Sequence, residues 1–399
     1  MYLSAKGVEN RPIISGNFAR QPVLALHGIN VSPSDLPGSE IIHRQGFFIG
    51  SHNQPVGDDQ VAYLVEVLLT FPFRPLPTCL VTGATGLAGT AVQRLVAEAM
   101  RTDESLPAEL RAFVSKLHFV FAGSSRADLR KADECERLFE EVRPQYVLHL
   151  AAVLSGIQTM AAAHVEYYSA NSQINNNVLR CAVKLRVKKV VSCLSTVMLP
   201  ADATYPVTEA TIHAGAPNPV GHGYAMAKRE LDMLSRWYSK ESSTLCVCVL
   251  PSNIFGPGGD FSVKDGPFVH ALIRKAVEAK EAASPLHCFG TGAPLRQMLY
   301  SNDLALVLLW ALASYTDAAE PVNVAGPEVS IKEMAELIAQ AVGFDGQIAW
   351  SGEMDGALRR TADMTKLVRA YGGEPDWTPL KQALKETVDW FKKGWYKRG

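Results

Sequence analysis

The sequence predicts an α/β fold, a doubly wound Rossmann-type parallel sheet joined to a smaller C-terminal lobe. Three observations predict it. Between about Pro77 and Pro251, short apolar runs alternate with segments of helical period. Those runs are apolar almost throughout, as strands covered on both faces must be. The first run also ends in a glycine-rich turn, Gly83-Ala-Thr-Gly-Leu-Ala-Gly89, that opens a helix.

Each element can be justified in turn. Thr78–Thr82 is the first strand, and Thr90 to Met100 the helix after the turn. Leu117–Ala122 reads as a strand, Glu134–Val142 as a helix and Tyr146–Ala151 as the next strand. A long helix covers Val165–Leu185 and precedes the apolar run Lys189–Leu194. After an irregular stretch, Pro200–Pro219, a helix bearing Tyr224 and Lys228 continues to about Lys240, and Thr244–Leu250 is a further buried strand. Right-handed crossovers arrange these strands as a doubly wound sheet. Its ligand should lie outside the strands' carboxyl ends, where Gly86, Ser195 and Asn253 fall. Beyond Asn253 come a loop, Phe255–Gly266, a helix to about Glu281, and short strands near Leu286–Phe289 and Arg296–Tyr300. Helices near Asp303–Ser314 and Ile331–Val342, with a closing helix from Pro379 to Lys392, complete a smaller lobe. The expected domains are therefore 1–75, an appended segment and linker; 76–252, the dinucleotide-binding domain; and 253–399, mainly a substrate-binding lobe with segments returning to the first domain.

Composition narrows the classes without choosing among them. A net charge of -1 over 399 residues gives no electrostatic case for nucleic acid or for a membrane surface. The seven cysteines lack metal-ligand spacing, and their odd number with no secretory signal predicts reduced thiols in the cytoplasm and no metal. No apolar run approaches the roughly 18 residues that a membrane span requires.

The glycine turn carries the first chemistry. Gly83 permits the tight turn, Gly86 lets backbone approach a pyrophosphate, and Gly89 lets helix and strand pack closely. The helix N-terminus then directs its unpaired N–H groups at the anion, with Thr85 and Leu87 beside it. At the end of the second strand, Ser124, Ser125 and Arg126 stand where a dinucleotide site for NAD carries an acidic residue. Guanidinium binds phosphate bidentately, so NADPH is favoured. Downstream, Tyr224 and Lys228 are four residues apart on one helix face, and Ser195 lies just beyond an apolar strand. Hydride delivery to a carbonyl leaves an alkoxide, which a placed phenol can protonate if Lys228 lowers the Tyr224 pKa. Ser195 would hydrogen-bond the carbonyl oxygen, and Lys228 could hold the nicotinamide ribose.

From Thr78 onward the chain resembles the extended short-chain dehydrogenase/reductase family, in its GDP-L-fucose synthase branch. The motifs are Val81–Gly89, His149–Ala152, Val190–Thr196, Gly223–Arg229, Pro251–Pro257, Gly290–Gln297 and Tyr300–Ala305. The resemblance implies NADPH-dependent reduction of a GDP-4-keto-6-deoxyhexose in nucleotide-sugar biosynthesis, by a homodimer joined through the helices Val165–Leu185 and Gly223–Lys240. It implies Ser195, Tyr224 and Lys228 as the reductase triad, and Ala151, Ala152, Pro251, Asn253 and Ile254 beside the cofactor. It places Asn253, Arg296, Asp355 and Arg360 against the sugar nucleotide. Members of this branch also epimerise at two carbons, using a Cys two residues after the Ser and a His at a helix start. Here Val197 and Pro267 stand in those places, and neither exchanges a proton. Cys193 and His270 are the nearest substitutes in sequence. The expectation is a retained reductase with the epimerase step in doubt. An epimerase-less reductase making another GDP-6-deoxy- or 3,6-dideoxyhexose is the alternative. A non-catalytic NADPH-binding protein is a third, disfavoured by the intact triad.

Residues 1–75 resemble a different family. Arg11–Pro22 and Gly46–Gly50 are similar to the C-terminal tail of pyridoxal-phosphate-dependent sugar aminotransferases and 3-dehydrases. Only that tail is present, so no pyridoxal chemistry is expected.

Overall fold

The computed structural model describes residues 10–12, 47–49 and 76–395, less 102–105, 218, 264 and 353–357. The chain divides into two units, Met1–Pro75 and Leu76–Gly399. In the first, β1 (Asn10–Pro12) and β2 (Phe47–Ile49) pair antiparallel, with Arg11 opposite Phe48. The described parts of the two aminotransferase-like motifs therefore face one another.

In the second unit β3 (Thr78–Thr82) leads through the glycine turn into α1 (Leu87–Ala99). Then come α2 (Ala108–Val114), β4 (His118–Ala122), α3 (Ala132–Val142), β5 (Tyr146–His149), α4 (Ile157–Ala162), α5 (His164–Lys184) and β6 (Lys189–Cys193). They continue with α6 (His222–Glu241), β7 (Leu245–Pro251), β8 (Asn253–Phe255), α7 (Phe268–Glu281), β9 (Leu286–Cys288), β10 (Leu295–Tyr300) and α8 (Ser301–Ala313). The last are β11 (Val322–Val324), β12 (Glu328–Ser330), α9 (Ile331–Val342), β13 (Ile348–Trp350), β14 (Arg359–Arg360), α10 (Thr365–Tyr371) and α11 (Leu380–Trp390).

Local chemistry sets many of these boundaries. Asp133 and Glu134 in the first turn of α3 meet the positive end of its dipole, while Cys135, Leu138 and Phe139 form its buried stripe. Ser330 caps α9 by accepting from the Glu333 N–H at 3.0 Å, and Gly343, at φ 73°, ends it in the left-handed region.

The main sheet has six parallel strands in the order β11-β7-β6-β5-β3-β4. Adjacent residues feed opposite cores, since strand side chains alternate in direction. Val81 and Val191 pack with Val92 of α1 and Leu304 and Leu308 of α8. Leu80 and Val190 pack on the other face with Phe139 of α3, Val178 of α5 and Leu231 of α6. The lobe has its own core around Phe261, Ile273, Met334 and Phe391. Its strand β10 pairs with β8, β12 and β14. The chain order reverses at β3, which has β4 on one side and β5 on the other, so a crevice opens at their carboxyl ends. All seven cysteines are free and buried. Among the described residues no helix is long and apolar enough to cross a membrane.

Candidate active site

The crevice is built by backbone before any side chain enters it. Gly83 has φ 68°, and a Cβ there would sit 2.6 Å from the Ala151 nitrogen, so the loops after β3 and β5 touch at this glycine. At Gly89 a Cβ would fall 2.3 Å from the Gly83 oxygen. Gly86 differs: a Cβ there would meet only the Gly83 oxygen, at 3.4 Å, so this glycine is open toward the crevice. It is the N-cap of α1, with no side-chain cap and no acidic residue in the first turn. The first N–H groups of α1 are left for an anion. The loop after β4 joins the same wall: a Cβ on Gly123 would lie 2.8 Å from Thr85 Cγ2. Ser124, Ser125 and Arg126 are exposed there, with Leu87, Ala151 and Ala152 half-buried nearby along the crevice loops. The Arg126 guanidinium donates to Glu141 at 2.7 Å.

The three expected catalytic side chains come from two neighbouring elements. Ser195 follows β6 and caps a short 3₁₀ turn, its Oγ accepting from the Val197 N–H at 3.4 Å. Tyr224 and Lys228 lie one turn apart in α6, both buried. Lys228 Nζ donates to the Cys193 carbonyl at 2.7 Å and stands 5.7 Å from the centre of the Tyr224 ring. One residue on, Arg229 Nε donates to the Met198 carbonyl at 2.8 Å. Two consecutive basic side chains thus grip both ends of the segment that carries Ser195.

Burial changes the proton chemistry expected from spacing. It pushes the Tyr224 phenol up, and Lys228 is not what moves it; the buried Cys193 raises it further. Burial also pushes the Lys228 ammonium down. The expected lowering of Tyr224 by Lys228 is not found here: burial and then Cys193 set the direction of its shift. Tyr224 is held protonated at neutral pH, the form a proton donor needs.

A buried polar chain underlies the same region. Asn175 Nδ2 donates to the Ala227 carbonyl at 3.1 Å, which turns its Oδ1 toward His149 Nε2, also at 3.1 Å. His149 Nδ1 then accepts from Thr82 Oγ1 at 3.0 Å. Burial and the nearby Lys228 push this imidazole down to about 3. His149 belongs to one of the quoted motifs, but its partners are 67 and 26 residues away and no local pattern marks them.

On the lobe side Asn253 is exposed and Ile254 half-buried, just beyond Pro251. Arg296 and Arg360 are register partners on adjacent parallel strands, so their side chains leave one face together. Asp355 lies outside the described residues. Val197 is half-buried against Gly221, where a Cβ would be 2.7 Å from its Cγ2, and Pro267 is the exposed N-cap of α7. Both of the nearest substitutes for the missing acid and base are buried. His270 is fully buried in the lobe, its Nε2 donating to the Gly256 carbonyl at 2.9 Å and its ring edge-on to Phe261. Cys193 is buried in β6, where desolvation pushes its thiol up.

A glycine-cradled crevice at the switch point, with Ser, Tyr and Lys at the carboxyl edge, defines the extended short-chain dehydrogenases and reductases. The chain belongs to this class, matching the NAD dependent epimerase/dehydratase family over residues 79–325. It is 37% identical to the GDP-L-fucose synthase of Dictyostelium discoideum over 317 residues, which is 79% of this chain and 95% of that one. A crystal structure of a GDP-L-fucose synthetase from Naegleria fowleri bound to NADP shares 36% identity, with a TM-score of 0.73, covering 81% of this chain and 96% of that one. The GDP-L-colitose synthase of Yersinia pseudotuberculosis is 24% identical over 276 residues, 68% of this chain and 89% of that protein.

Proposed function

We propose that this chain is an NADPH-dependent oxidoreductase that reduces the ketone of a GDP-4-keto-6-deoxyhexose. The observation that carries the reading is the placement of Tyr224 and Lys228, with Lys228 hooked to the carbonyl two residues before Ser195. The cradle of Gly83, Gly86 and Gly89 fits a pyrophosphate, and exposed Arg126 with Ser124 and Ser125 fits a 2′-phosphate. When bound, the dihydronicotinamide supplies a hydride to the carbonyl carbon. Ser195 holds the carbonyl oxygen, and Tyr224 gives its phenolic proton to the developing alkoxide. The Lys228 charge stabilises the tyrosinate so formed. Asn253 orients the sugar, and Arg296 and Arg360 take the diphosphate. The Tyr224→Phe variant should lose about 10²–10⁴-fold in kcat with an unchanged Kd for NADPH, the usual worth of positioned proton transfer. A loss under tenfold in NADPH oxidation assays would remove Tyr224 from the chemistry.

The same reading keeps the configuration at the carbons flanking the ketone, because Val197 and Pro267 carry no exchangeable proton. The likeness to GDP-L-fucose synthases favours a second reading, in which both epimerisations persist through relocated groups. We further assign residues 1–75 as an appended segment and 76–252 as the NADP-binding domain. The lobe is 253–399, with β11 and α8 returning to the sheet and its face. A cytoplasmic homodimer through α5 and α6 completes the assignment, supported by exposed Val165, Tyr168 and Trp237 on those helices.

A further inference from the structure

Arg94 lies half-buried in the second half of α1, and none of its hydrogen bonds among the described residues goes to a carboxylate. Its Nη1 donates to the Pro257 carbonyl at 3.1 Å. Its Nη2 donates to Asn302 Oδ1 at 3.1 Å and to Ser301 Oγ at 3.4 Å. These acceptors are far apart in sequence yet equivalent in the fold. Pro257 stands just past the carboxyl end of β8, and Ser301 and Asn302 just past that of β10. The two strands are parallel partners, with Met298 beside Asn253 and Tyr300 beside Phe255. One guanidinium therefore grips the carboxyl ends of both strands of a pair.

The chain is shaped to permit that grip. Gly258 has φ 92°, and a Cβ on it would lie 2.6 Å from Thr90 Oγ1 and 3.8 Å from Arg94 Nη1. Gly256 has φ 151°, and a Cβ there would collide with Ser301 Oγ at 2.1 Å. Two glycines in the left-handed region thus bring the loop after β8 down onto α1 and the start of α8. The contact continues into the lobe, where the Asn302 amide donates to the Tyr300 hydroxyl at 3.4 Å and that hydroxyl donates to Glu386 of α11 at 2.6 Å.

We propose that Arg94 is a positioning residue that fixes the substrate-side strand pair against the dinucleotide-binding helix, and so sets the affinity for the sugar nucleotide without touching it. Its helix opens at the glycine cradle, and its strand pair carries Asn253, Ile254 and Arg296. Apolar packing of α1 on α8 holds the two walls together, and Arg94 adds a polar tie from α1 to the carboxyl ends of both strands. The proposal rests on the assignment of Arg296 to the substrate.

The test compares Arg94→Lys, Arg94→Met and Arg296→Ala in the full chain, measuring kcat and KM with GDP-4-keto-6-deoxymannose, Kd for NADPH and Tm. A displacement of about an ångström in such a wall costs a large factor in rate or affinity. Both Arg94 variants should raise KM at least tenfold while Kd for NADPH stays within twofold. Arg94→Lys should recover most of the Tm lost by Arg94→Met without recovering KM, because one ammonium cannot span both strand ends. Wild-type KM in Arg94→Lys, or KM and Kd for NADPH rising together in step with the loss of Tm, would overturn the proposal and leave Arg94 a packing residue. If Arg296→Ala leaves KM unchanged, the assignment of the substrate wall fails instead.

Discussion

At the level of a single side chain, the proposed choice of nicotinamide rests on Arg126. Its pairing with Glu141 joins two exposed groups, a contact worth at most about 1 kcal/mol, too little to withhold the guanidinium from a phosphate dianion. Hydrogen bonds to charged groups are worth about 1.5–3 kcal/mol, so Arg126→Ala should weaken NADPH by roughly ten- to a hundredfold and leave NADH unchanged. Calorimetry giving the same NADPH to NADH ratio in the variant would remove Arg126 from the site. His149 makes a second prediction. Its folded pKa of about 3 lies below the ordinary 6.5, so between these values the unfolded chain binds a proton that the native state refuses. Its contribution to stability is complete above pH 6.5 and falls as pH drops toward 3, by up to about 1.4 kcal/mol per unit. Urea midpoints across pH 4.5–6 should therefore slope less steeply in His149→Gln than in the parent. Parallel slopes would show that another group governs acid sensitivity.

The glycine turn shows how one element divides structural from functional demands. Gly89→Ala drives a methyl to 2.3 Å from the Gly83 oxygen and 2.6 Å from Ala84 Cα, and backbone on both sides cannot yield. Overpacking of this kind costs about 1–3 kcal/mol, so Tm and NADPH affinity should fall together. Gly86→Ala meets only one atom, at 3.4 Å, so it should keep Tm and lose affinity alone. Thermal melts with and without NADPH separate the two, and equal loss of Tm would contradict the assignment of Gly86 to the crevice. This turn, the five strands from β3 to β7 and the helices α1, α3, α5 and α6 were legible, because strand and helix periods are local signals. The sixth strand was not: Val322-Asn-Val324 is three residues long and pairs with Val249–Pro251, some seventy residues earlier. The helix α2 was also missed, being seven residues behind Pro107. The identities of Ser195, Tyr224 and Lys228 stood out in the sequence, but burial did not, and burial reverses the direction in which Tyr224 is shifted. Nor could spacing show that His270 is sealed in the lobe core, or that Arg94 reaches across to residues 257, 301 and 302.

For the whole molecule, the division at Pro75 and Leu76 predicts that a chain lacking residues 1–75 folds and turns over NADPH at the parental rate. An insoluble or inactive truncation would make the appended segment part of the enzyme. For the reaction itself, we propose that the reductive triad is retained while Val197 and Pro267 stand where an epimerising acid and base would be. Epimerisation beside a ketone removes a carbon-bound proton and returns one from solvent, so running the reaction in D₂O records each event. GDP-4-keto-6-deoxymannose with NADPH should give, by NMR, a product reduced at the ketone, unchanged in configuration at the flanking carbons and free of deuterium there. Stoichiometric deuterium at both flanking carbons, with GDP-L-fucose as the product, would contradict the account and show that other groups have taken over both proton transfers.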